Sequence, residues 1–332
     1  MEYTQLGRTG LQVSRLVLGT MNFGVLTGEA DSHAVMDTAL DHGVNFFDTA
    51  NVYGGTDNKG ITESIVGTWF ARGGGRRDKV VLATKVYGNM RIGGGRPWPN
   101  HDRLSAVNIR RSVEDSLRRL RTDRIDVYQF HHIDRRTPFE EIWQAIDVLI
   151  AQGKVLYAGS SNFPGYKIAQ ANETAARTGR LGLVSEQCLY NLAERRAEME
   201  VIPAAREYGL GVIAWSPLRG GLLSGALRKE REDAGSRSAT GRSAQGLADP
   251  DMRAKVQAYE DLLGKLGLDP AEVALAWLLT RRGVTAPIVG PRTPGQFASA
   301  LRAVDLKLDA ELRDRLEEIF PGPGPSPEAF AW

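Results

Sequence analysis

The sequence has little cysteine and few histidines, and both shortages limit the chemistry available to it. Cys188 is the single cysteine among 332 residues, so neither an intramolecular disulfide nor a cluster of thiolate ligands can form. Of five histidines, two are adjacent, His131 and His132. We expect both on one strand, where neighbouring side chains point to opposite faces, so they cannot chelate one ion. His132 is then a packed residue behind any site, and no metal site is predicted.

The sequence also lacks a large excess of charge and any long apolar segment. Its 42 Lys and Arg against 40 Asp and Glu leave a formal charge of +2, too balanced to indicate a nucleic acid or an anionic membrane as partner. The first residues, MEYTQLGRTG, lack the apolar stretch of a signal peptide. We therefore expect a cytoplasmic protein that acts on a small molecule. The sequence leaves the oligomeric state open.

Apolar segments alternate with segments of helical period along the whole chain. One such helical segment has apolar residues spaced by three and four, namely Phe139, Ile142, Trp143, Ile146, Leu149 and Ile150. Eight apolar runs are typical of buried parallel strands: RLVLGT from 15, VNFFD from 44, VVLATK from 80, DVYQFH from 126, VLYAGS from 155, LVSEQ from 183, VIAW from 212 and PIVG from 287. This pattern predicts an α/β protein in which residues 1–332 form a single (β/α)8 TIM barrel domain.

Three segments fall outside this alternation. Residues 1–14 contain two short strands around GRTG, which predicts a β-hairpin that plugs one end of the barrel. Residues 219–250 follow the seventh strand and are too long and polar for an ordinary connection, so we expect a mobile loop. The tail, residues 321–332, begins with several prolines that prevent a helix at its start.

Polar or aromatic residues follow almost every predicted strand, where parallel barrels build their active sites. A helix cap, a solvated charge or a packed imidazole would explain any one of them, but not all of them at one end of successive apolar strands. These residues are Asp48, Lys85, His131, Ser161, Asn162, Gln187, Trp215 and Ser216.

Tyr53 lies five residues after Asp48, on the loop that leaves the same strand. A nearby ammonium lowers the pKa of a phenol, and a carboxylate keeps that ammonium charged, so Lys85 and Asp48 would tune Tyr53 as an acid. His131 beside the phenol can donate to the same substrate oxygen. The set predicts reduction of a carbonyl group by hydride transfer.

The chain resembles the aldo-keto reductase family from end to end. The matching segments, in the family's order, are YTQLGRTGLQVSRLVLGTMNFG, FDTANVYG, LATK, YQFHHID, GKVLYAGSSNF, SEQCLYNL, AWSPLRGG and VGPRTPGQ. The resemblance implies reversible reduction of aldehydes or ketones with NADPH, and a catalytic tetrad of Asp48, Tyr53, Lys85 and His131. Within the family, the chain looks most like the branch of potassium-channel β subunits and bacterial deoxysugar-pathway reductases.

The resemblance also implies a set of cofactor-binding residues. Trp215 would stack on the nicotinamide ring, and Asn162 and Gln187 would bind its carboxamide. Arg292 can pair with a 2′-phosphate, which favours NADPH over NADH. The full set is Gly19, Thr20, Met21, Ser161, Asn162, Gln187, Trp215, Ser216, Leu218, Arg292 and Gln296.

The sequence differs from the family pattern near this cofactor site, and it leaves other functions open. Pro291 and Ala300 stand where relatives often have a small residue and an asparagine that contact the adenosine end. One alternative is a cofactor-binding redox-sensing or regulatory subunit with slow turnover. Another is an aldolase with Lys85 as Schiff base, although Asp48 would keep that lysine protonated.

The substrate is not identified by these motifs, because its contacts lie in loops. Residues 87–102 and the segment after Gly220 are the two candidates. A nucleotide-linked keto sugar would need cationic contacts, for which Arg91, Arg96 and Arg219 are available, although each is also typical of a solvated surface.

Overall fold

Eight parallel strands close into a barrel in the computed structural model, which describes residues 1–232 and 242–331. Each barrel strand pairs with the next in sequence, and the last closes on the first through Ile288 beside Val17. All eight predicted strands are confirmed. In chain order, the strands are β1 (Tyr3–Gln5), β2 (Gln12–Ser14), β3 (Val17–Gly19), β4 (Phe46–Asp48), β5 (Val81–Val86), β6 (Ile125–Phe130), β7 (Val155–Ser161), β8 (Leu183–Leu189), β9 (Gly211–Trp215) and β10 (Val284–Val289).

Helices cover the outside of the barrel. Of the six apolar residues predicted to share one helix face, all are buried except Ile150, which is 45% exposed because it lies about 100° around the helix from Leu149. The α-helices are α1 (Glu29–Asp41), α2 (Ile61–Ala71), α3 (Ala106–Leu120), α4 (Phe139–Ala151), α5 (Gly165–Ala176), α6 (Val201–Glu207), α7 (Ala226–Glu232), α8 (Arg242–Leu247), α9 (Pro250–Leu266), α10 (Pro270–Thr280), α11 (Pro294–Asp305), α12 (Ala310–Ile319) and α13 (Glu328–Ala331).

The interior of the barrel is filled by side chains from the strands and the hairpin. Strand residues of alternate parity point inward, and Leu6 and Val13 of the hairpin are buried against them. The buried members of this cluster are Leu6, Val13, Val17, Phe46, Ala83, Val127, Val184, Ile213 and Ala286. The interior of the barrel near the hairpin is therefore filled with apolar side chains. The polar side chains that follow the strands lie at the other end.

The hairpin of β1 and β2 is antiparallel, with Tyr3 opposite Ser14, as predicted. The backbone N–H of Arg8 donates to the carbonyl of Gly209 at 2.7 Å, just before β9 begins. The turn thus lies against the N-terminal end of the barrel. It closes the end opposite to the strand termini that carry the polar residues.

The segment predicted as a mobile loop, residues 219–250, contains helices in its described parts. A 3-10 turn at Arg219–Gly221 precedes α7, and α8 precedes α9. Leu222, Leu227 and Leu247 are buried in a small separate cluster with Val256 of α9. Apolar residues at helical spacing before the polar run explain this packing. Residues 233–241 of the predicted loop lie outside the described residues.

The described chain ends in a tail that follows α12. The N–H of Ser326 donates to the carbonyl of Met199 at 2.8 Å, and Phe330 on α13 is exposed. Trp332 lies outside the described residues. Within residues 1–232 and 242–331, we find no helix with the length and apolarity that crossing a membrane requires.

Gly7 in the hairpin turn tests the contact between the hairpin and the barrel. Its φ is +57°, and a Cβ there would lie 2.5 Å from the carbonyl oxygen of Gly209 and 2.7 Å from that of Val184. We expect Gly7→Ala to lower the free energy of unfolding by about 2 kcal/mol or more, from left-handed strain and overpacking. Urea denaturation measures this change. Gly10→Ala is the matched control in the same turn, because nothing lies within 4 Å of its Cβ position; equal stability of the two variants would contradict the prediction.

Candidate active site

A buried ion pair lies at the C-terminal ends of β4 and β5. Lys85 is 0% exposed and Asp48 is 3% exposed. The Lys85 Nζ donates to Asp48 Oδ2 at 2.5 Å, to the carbonyl of Thr49 at 2.9 Å and to the Tyr53 hydroxyl oxygen at 3.0 Å. An ammonium has three protons, so these three acceptors use all of them. Lys85 is thus held as a charged donor, and it brings together three of the four predicted catalytic residues.

The protonation states of this cluster follow from burial and charge together. Burial favours the neutral amine of Lys85, yet the negative charge of Asp48 and the Tyr53 oxygen raise the pKa of Lys85 above its ordinary value. Burial also raises the pKa of Tyr53, against the opposing effect of Lys85. The expected lowering of the phenol's pKa by Lys85 is present, but desolvation of the phenolate is the larger effect, so the pKa of Tyr53 lies above its ordinary value. The phenol keeps its proton.

His131, the fourth predicted residue, lies just beyond the end of β6. Its ring meets the Tyr53 ring edge-on, with centroids 5.9 Å apart and planes at 80°. Burial, followed by the positive charge of Lys85, lowers the pKa of His131 to about 2. The imidazole is neutral, so one ring nitrogen can carry a proton that it donates beside the phenol.

His132 is not behind the site. The rings of His131 and His132 stack in parallel, with centroids 5.0 Å apart and planes at 4°, and His132 is exposed. Strand β6 ends at Phe130, so the alternation of side chains no longer applies to these two residues. His132 also meets Tyr87 edge-on at 5.4 Å. Over residues 1–232 and 242–331, we find no group of three or more side chains suited to hold a metal ion.

The other oxygen of Asp48 accepts hydrogen bonds from two glutamines. The Nε2 of Gln187 donates to Asp48 Oδ1 at 2.8 Å, and the Nε2 of Gln129 donates to the same oxygen at 2.9 Å. The prediction from sequence did not include Gln129. Its signal was available, since Gln129 is polar, two residues after inward-facing Val127, and two before His131.

Asn162 and Trp215 come together across the ends of β7 and β9. Asn162 has a φ of +59°, which turns the chain out of β7, and its Nδ2 donates to the carbonyl of His131 at 3.1 Å and to Ser161 Oγ at 3.0 Å. The indole Nε1 of Trp215 donates to Asn162 Oδ1 at 3.1 Å. Ser161 is buried and Trp215 is half-buried. These predicted cofactor residues thus border the same rim as His131.

Gly19 ends β3, and Thr20 and Met21 follow it, but the three residues face different environments. The N–H and the hydroxyl of Thr20 both donate to the carbonyl of Asp48 at 3.0 Å, so Thr20 fixes the end of β4. A Cβ on Gly19 would lie 2.5 Å from Ile288 Cγ2. Met21 is exposed on the rim. Of these three residues, Met21 has the side chain most open to a ligand.

The remaining predicted cofactor residues follow β9 and β10. Ser216 has a φ of +56°, and Leu218 packs partly against the core. The N–H of Arg292 donates to Gln296 Oε1 at 2.9 Å, and Thr293 caps the start of α11. Arg292 is half-buried, and its guanidinium has no carboxylate within 4.0 Å in the part of the chain described. A cation beside a helix N-terminus suits a phosphate group.

Comparison with known proteins agrees with this geometry. The Aldo/keto reductase family model matches residues 15–320. The chain belongs to the aldo/keto reductase family. Members of this family are NAD(P)H-dependent oxidoreductases, and this chain is one by that membership. It is a carbonyl reductase by class.

Three relatives show the range of proteins that this member of the aldo/keto reductase family resembles. An uncharacterized oxidoreductase, YrpG, of Bacillus subtilis is 54% identical over 100% of both chains. A probable voltage-gated potassium channel subunit beta of Arabidopsis thaliana is 32% identical over 99% of this chain and 100% of its own. Versiconal hemiacetal acetate reductase of Aspergillus parasiticus is 33% identical over 96% of this chain and 97% of its own.

Proposed function

We propose that this protein reduces an aldehyde, a ketone or a keto sugar with NADPH, and that Tyr53 is the proton donor. The observation that carries the proposal is the direction of one hydrogen bond. The Tyr53 oxygen accepts from Lys85 Nζ at 3.0 Å, so the phenol O–H is left to donate to a substrate. The raised pKa of Tyr53 keeps that proton in place at neutral pH.

Tyr53 and His131 provide two donors for one carbonyl oxygen. The neutral His131 ring lies edge-on to the phenol, so a carbonyl oxygen between them can accept from both. Both bonds strengthen as negative charge develops on that oxygen. The proton then moves from the Tyr53 hydroxyl to the alkoxide, which gives the alcohol and a phenolate. The Lys85 ammonium, 3.0 Å from that oxygen, stabilises the phenolate.

The residues around the rim suit a nicotinamide cofactor. Bound NADPH supplies the hydride to the carbonyl carbon. We propose that Trp215 provides a flat surface for the nicotinamide ring, and that Asn162 and Gln187 orient its carboxamide. The positive φ of Asn162 and its bond from the Trp215 indole hold these two side chains together at the rim. Ser161, Ser216, Leu218, Gly19, Thr20 and Met21 would border the same cofactor.

We place the adenosine end of NADPH at the start of α11. Arg292 has no acidic partner in the described chain, and it lies two residues before the first residue of α11. A guanidinium binds a phosphate through two parallel hydrogen bonds, so Arg292 would favour the 2′-phosphate of NADPH over the free hydroxyl of NADH. Gln296, whose Oε1 accepts from the Arg292 N–H, would hold this loop.

A regulatory subunit with slow turnover is the second candidate, because a relative that is 32% identical is named as a probable channel subunit beta. Steady consumption of NADPH with simple aldehydes favours the reductase, whereas a single slow turnover favours the subunit. The aldolase is disfavoured, because all three ammonium protons of Lys85 are bonded and a Schiff base needs the neutral amine.

Substitution of Tyr53 tests the proton donor. We expect Tyr53→Phe to lower kcat for an aldehyde by ~10²-fold or more, the scale of a lost general acid. The affinity for NADPH should stay nearly unchanged. Steady-state kinetics and calorimetric titration give both values. Tyr166→Phe on α5, an exposed tyrosine, is the control and should behave like the wild type; full activity of Tyr53→Phe would refute the mechanism.

Substitution of Arg292 tests the choice of cofactor. We expect Arg292→Ala to weaken NADPH binding by ~1.5 to 3 kcal/mol, the scale of a hydrogen bond to a charged group, and hardly to change NADH binding. Calorimetric titration with both cofactors measures this difference. Arg282→Ala, an exposed arginine before the start of β10, is the control. If both cofactors weaken equally, Arg292 does not recognise the 2′-phosphate.

A further inference from the structure

The loop between β5 and α3 encloses a cavity on the rim of the barrel. The cavity has a volume of about 590 Å³, within the range of ~300 to 1,000 Å³ that small-molecule sites occupy. Its lining combines two arginines with aromatic and apolar groups, namely Arg91, Arg96, Trp98, His101, Met90 and Pro97. The proposed mechanism uses none of these residues.

Hydrogen bonds hold this loop against the segment that carries Tyr53. The Lys59 Nζ donates to the carbonyl of Asn89 at 2.6 Å, and the N–H of Gly93 donates to the carbonyl of Thr56 at 3.2 Å. Tyr53 precedes Thr56 in the same loop after β4. Two hydrogen bonds therefore join the loop that forms the cavity to the loop that carries Tyr53.

The loop presents positive charge that no carboxylate of the described residues compensates. Neither Arg91 nor Arg96 has a carboxylate within 4.0 Å among residues 1–232 and 242–331, and the Arg91 guanidinium donates to the carbonyl of Arg96 at 3.3 Å. Trp98 is 75% exposed beside them. An indole with so much surface in water, next to two unpaired guanidinium groups, fits a planar ligand with anionic oxygens.

We propose that this loop cavity binds the end of the substrate remote from the carbonyl, and that this end is an aromatic ring that bears a carboxylate or phosphate. The proposal rests on the proposed reductase function, because the ligand must extend from Tyr53. Trp98 would stack on the ring, while Arg91 and Arg96 would pair with the anionic oxygens. The preferred substrate class is then an anionic aromatic aldehyde or ketone.

A pair of substrates that differ in charge tests this proposal. 4-Carboxybenzaldehyde and its methyl ester share the ring and the aldehyde, but only the acid is anionic. We expect wild type to show a KM for the acid about 10-fold below that for the ester, the scale of two ion pairs made by exposed arginines. Arg91→Gln with Arg96→Gln should remove this preference by raising KM for the acid alone, with kcat for the ester unchanged. Arg135→Gln, an exposed arginine on the loop after β6, is the control.

Two results separate this proposal from the reductase function. Calorimetry with the acid and oxidised cofactor measures binding when no reduction can occur, and the double variant should bind at least about 10-fold more weakly. Equal KM values for acid and ester in wild type, or equal effects of the double variant on both, would overturn the loop site. Binding of the acid without any turnover of either aldehyde would instead refute the reductase function.

A second inference concerns Gln129, which contacts one residue of the proton-donating cluster and one residue proposed to bind the cofactor. Its side chain is fully buried, its Nε2 donates to Asp48 Oδ1 at 2.9 Å, and its Oε1 accepts from Gln187 Nε2 at 3.1 Å. Asp48 belongs to the proton-donating cluster. Gln187 is the residue proposed to orient the nicotinamide carboxamide. One buried amide thus links the two groups.

We infer that Gln129 is a positioning residue for Asp48 and Gln187. A carboxylate can rotate about its bond to Cβ, and donors on Oδ1 fix the rotation that points Oδ2 at Lys85. Without Gln129, Oδ1 keeps only the bond from Gln187, and Gln187 loses one of its two acceptors. The Asp48–Lys85 pair then weakens, and the pKa of Lys85 falls from its raised value.

The pH profile distinguishes this role from simple packing. Gln129→Met keeps the length and volume of the side chain but removes the amide. We expect kcat to fall about 10-fold, and the alkaline limb of the kcat profile to move to lower pH, because Lys85 loses its proton more easily. This inference also rests on the proposed function, because the pH profile is measured on the reduction of an aldehyde by the wild type.

Two further measurements make the test decisive. Thermal denaturation monitors folding, and Gln152→Met at the end of α4 is an exposed control with the same substitution. A pH profile for Gln129→Met that coincides with the wild-type profile would overturn the inference, even if kcat falls. A shifted profile at nearly unchanged Tm would support it.

Discussion

The buried pair of Lys85 and Asp48 is the interaction on which the rest of the site depends. Removing two charges from water costs several kcal/mol per ion, so such a pair persists only when its remaining donors and acceptors are bonded. Here Lys85 has three acceptors, and Asp48 accepts from two glutamines besides Lys85. Strands β4, β5, β6 and β8 each contribute a residue to this network. The closed barrel is what brings the side chains of these four strands together in its interior.

The residues that stabilise the fold and the residues of the site lie at opposite ends of the barrel. At the N-terminal end the hairpin and the inward apolar side chains form a packed core. At the other end the strands finish in Asp48 and Lys85, and the rim continues through Asn162 and Trp215. Because the hairpin already closes one end, a small ligand approaches only from the polar end. The charges of Asp48 and Lys85 are therefore buried from water, yet they lie at the end of the barrel that a substrate can reach.

The sequence predicted the architecture well because strand periodicity and strand-end position are local signals. It failed where the local signal ended or where burial decided the outcome. The alternation of side chains along a strand predicted the wrong side for His132. Strand β6 ends at Phe130, and the rings of His131 and His132 stack. The direction in which the pKa of Tyr53 shifts depends on the balance of burial and charge, which only the folded arrangement of the side chains determines. Gln129 was visible as a polar residue in an apolar strand, but its partners lie on other strands.

The raised pKa of Tyr53 agrees with its proposed role as an acid. In reduction the phenol must hold its proton until an alkoxide forms, and an alkoxide is a far stronger base than a phenolate, so the transfer remains favourable. Lys85 acts after the proton leaves, because it lies 3.0 Å from the oxygen that becomes negative. In the reverse reaction the phenolate would have to form first, against the burial that raises this pKa. At neutral pH the site therefore holds Tyr53 as the phenol that reduction uses, not as the phenolate that oxidation uses.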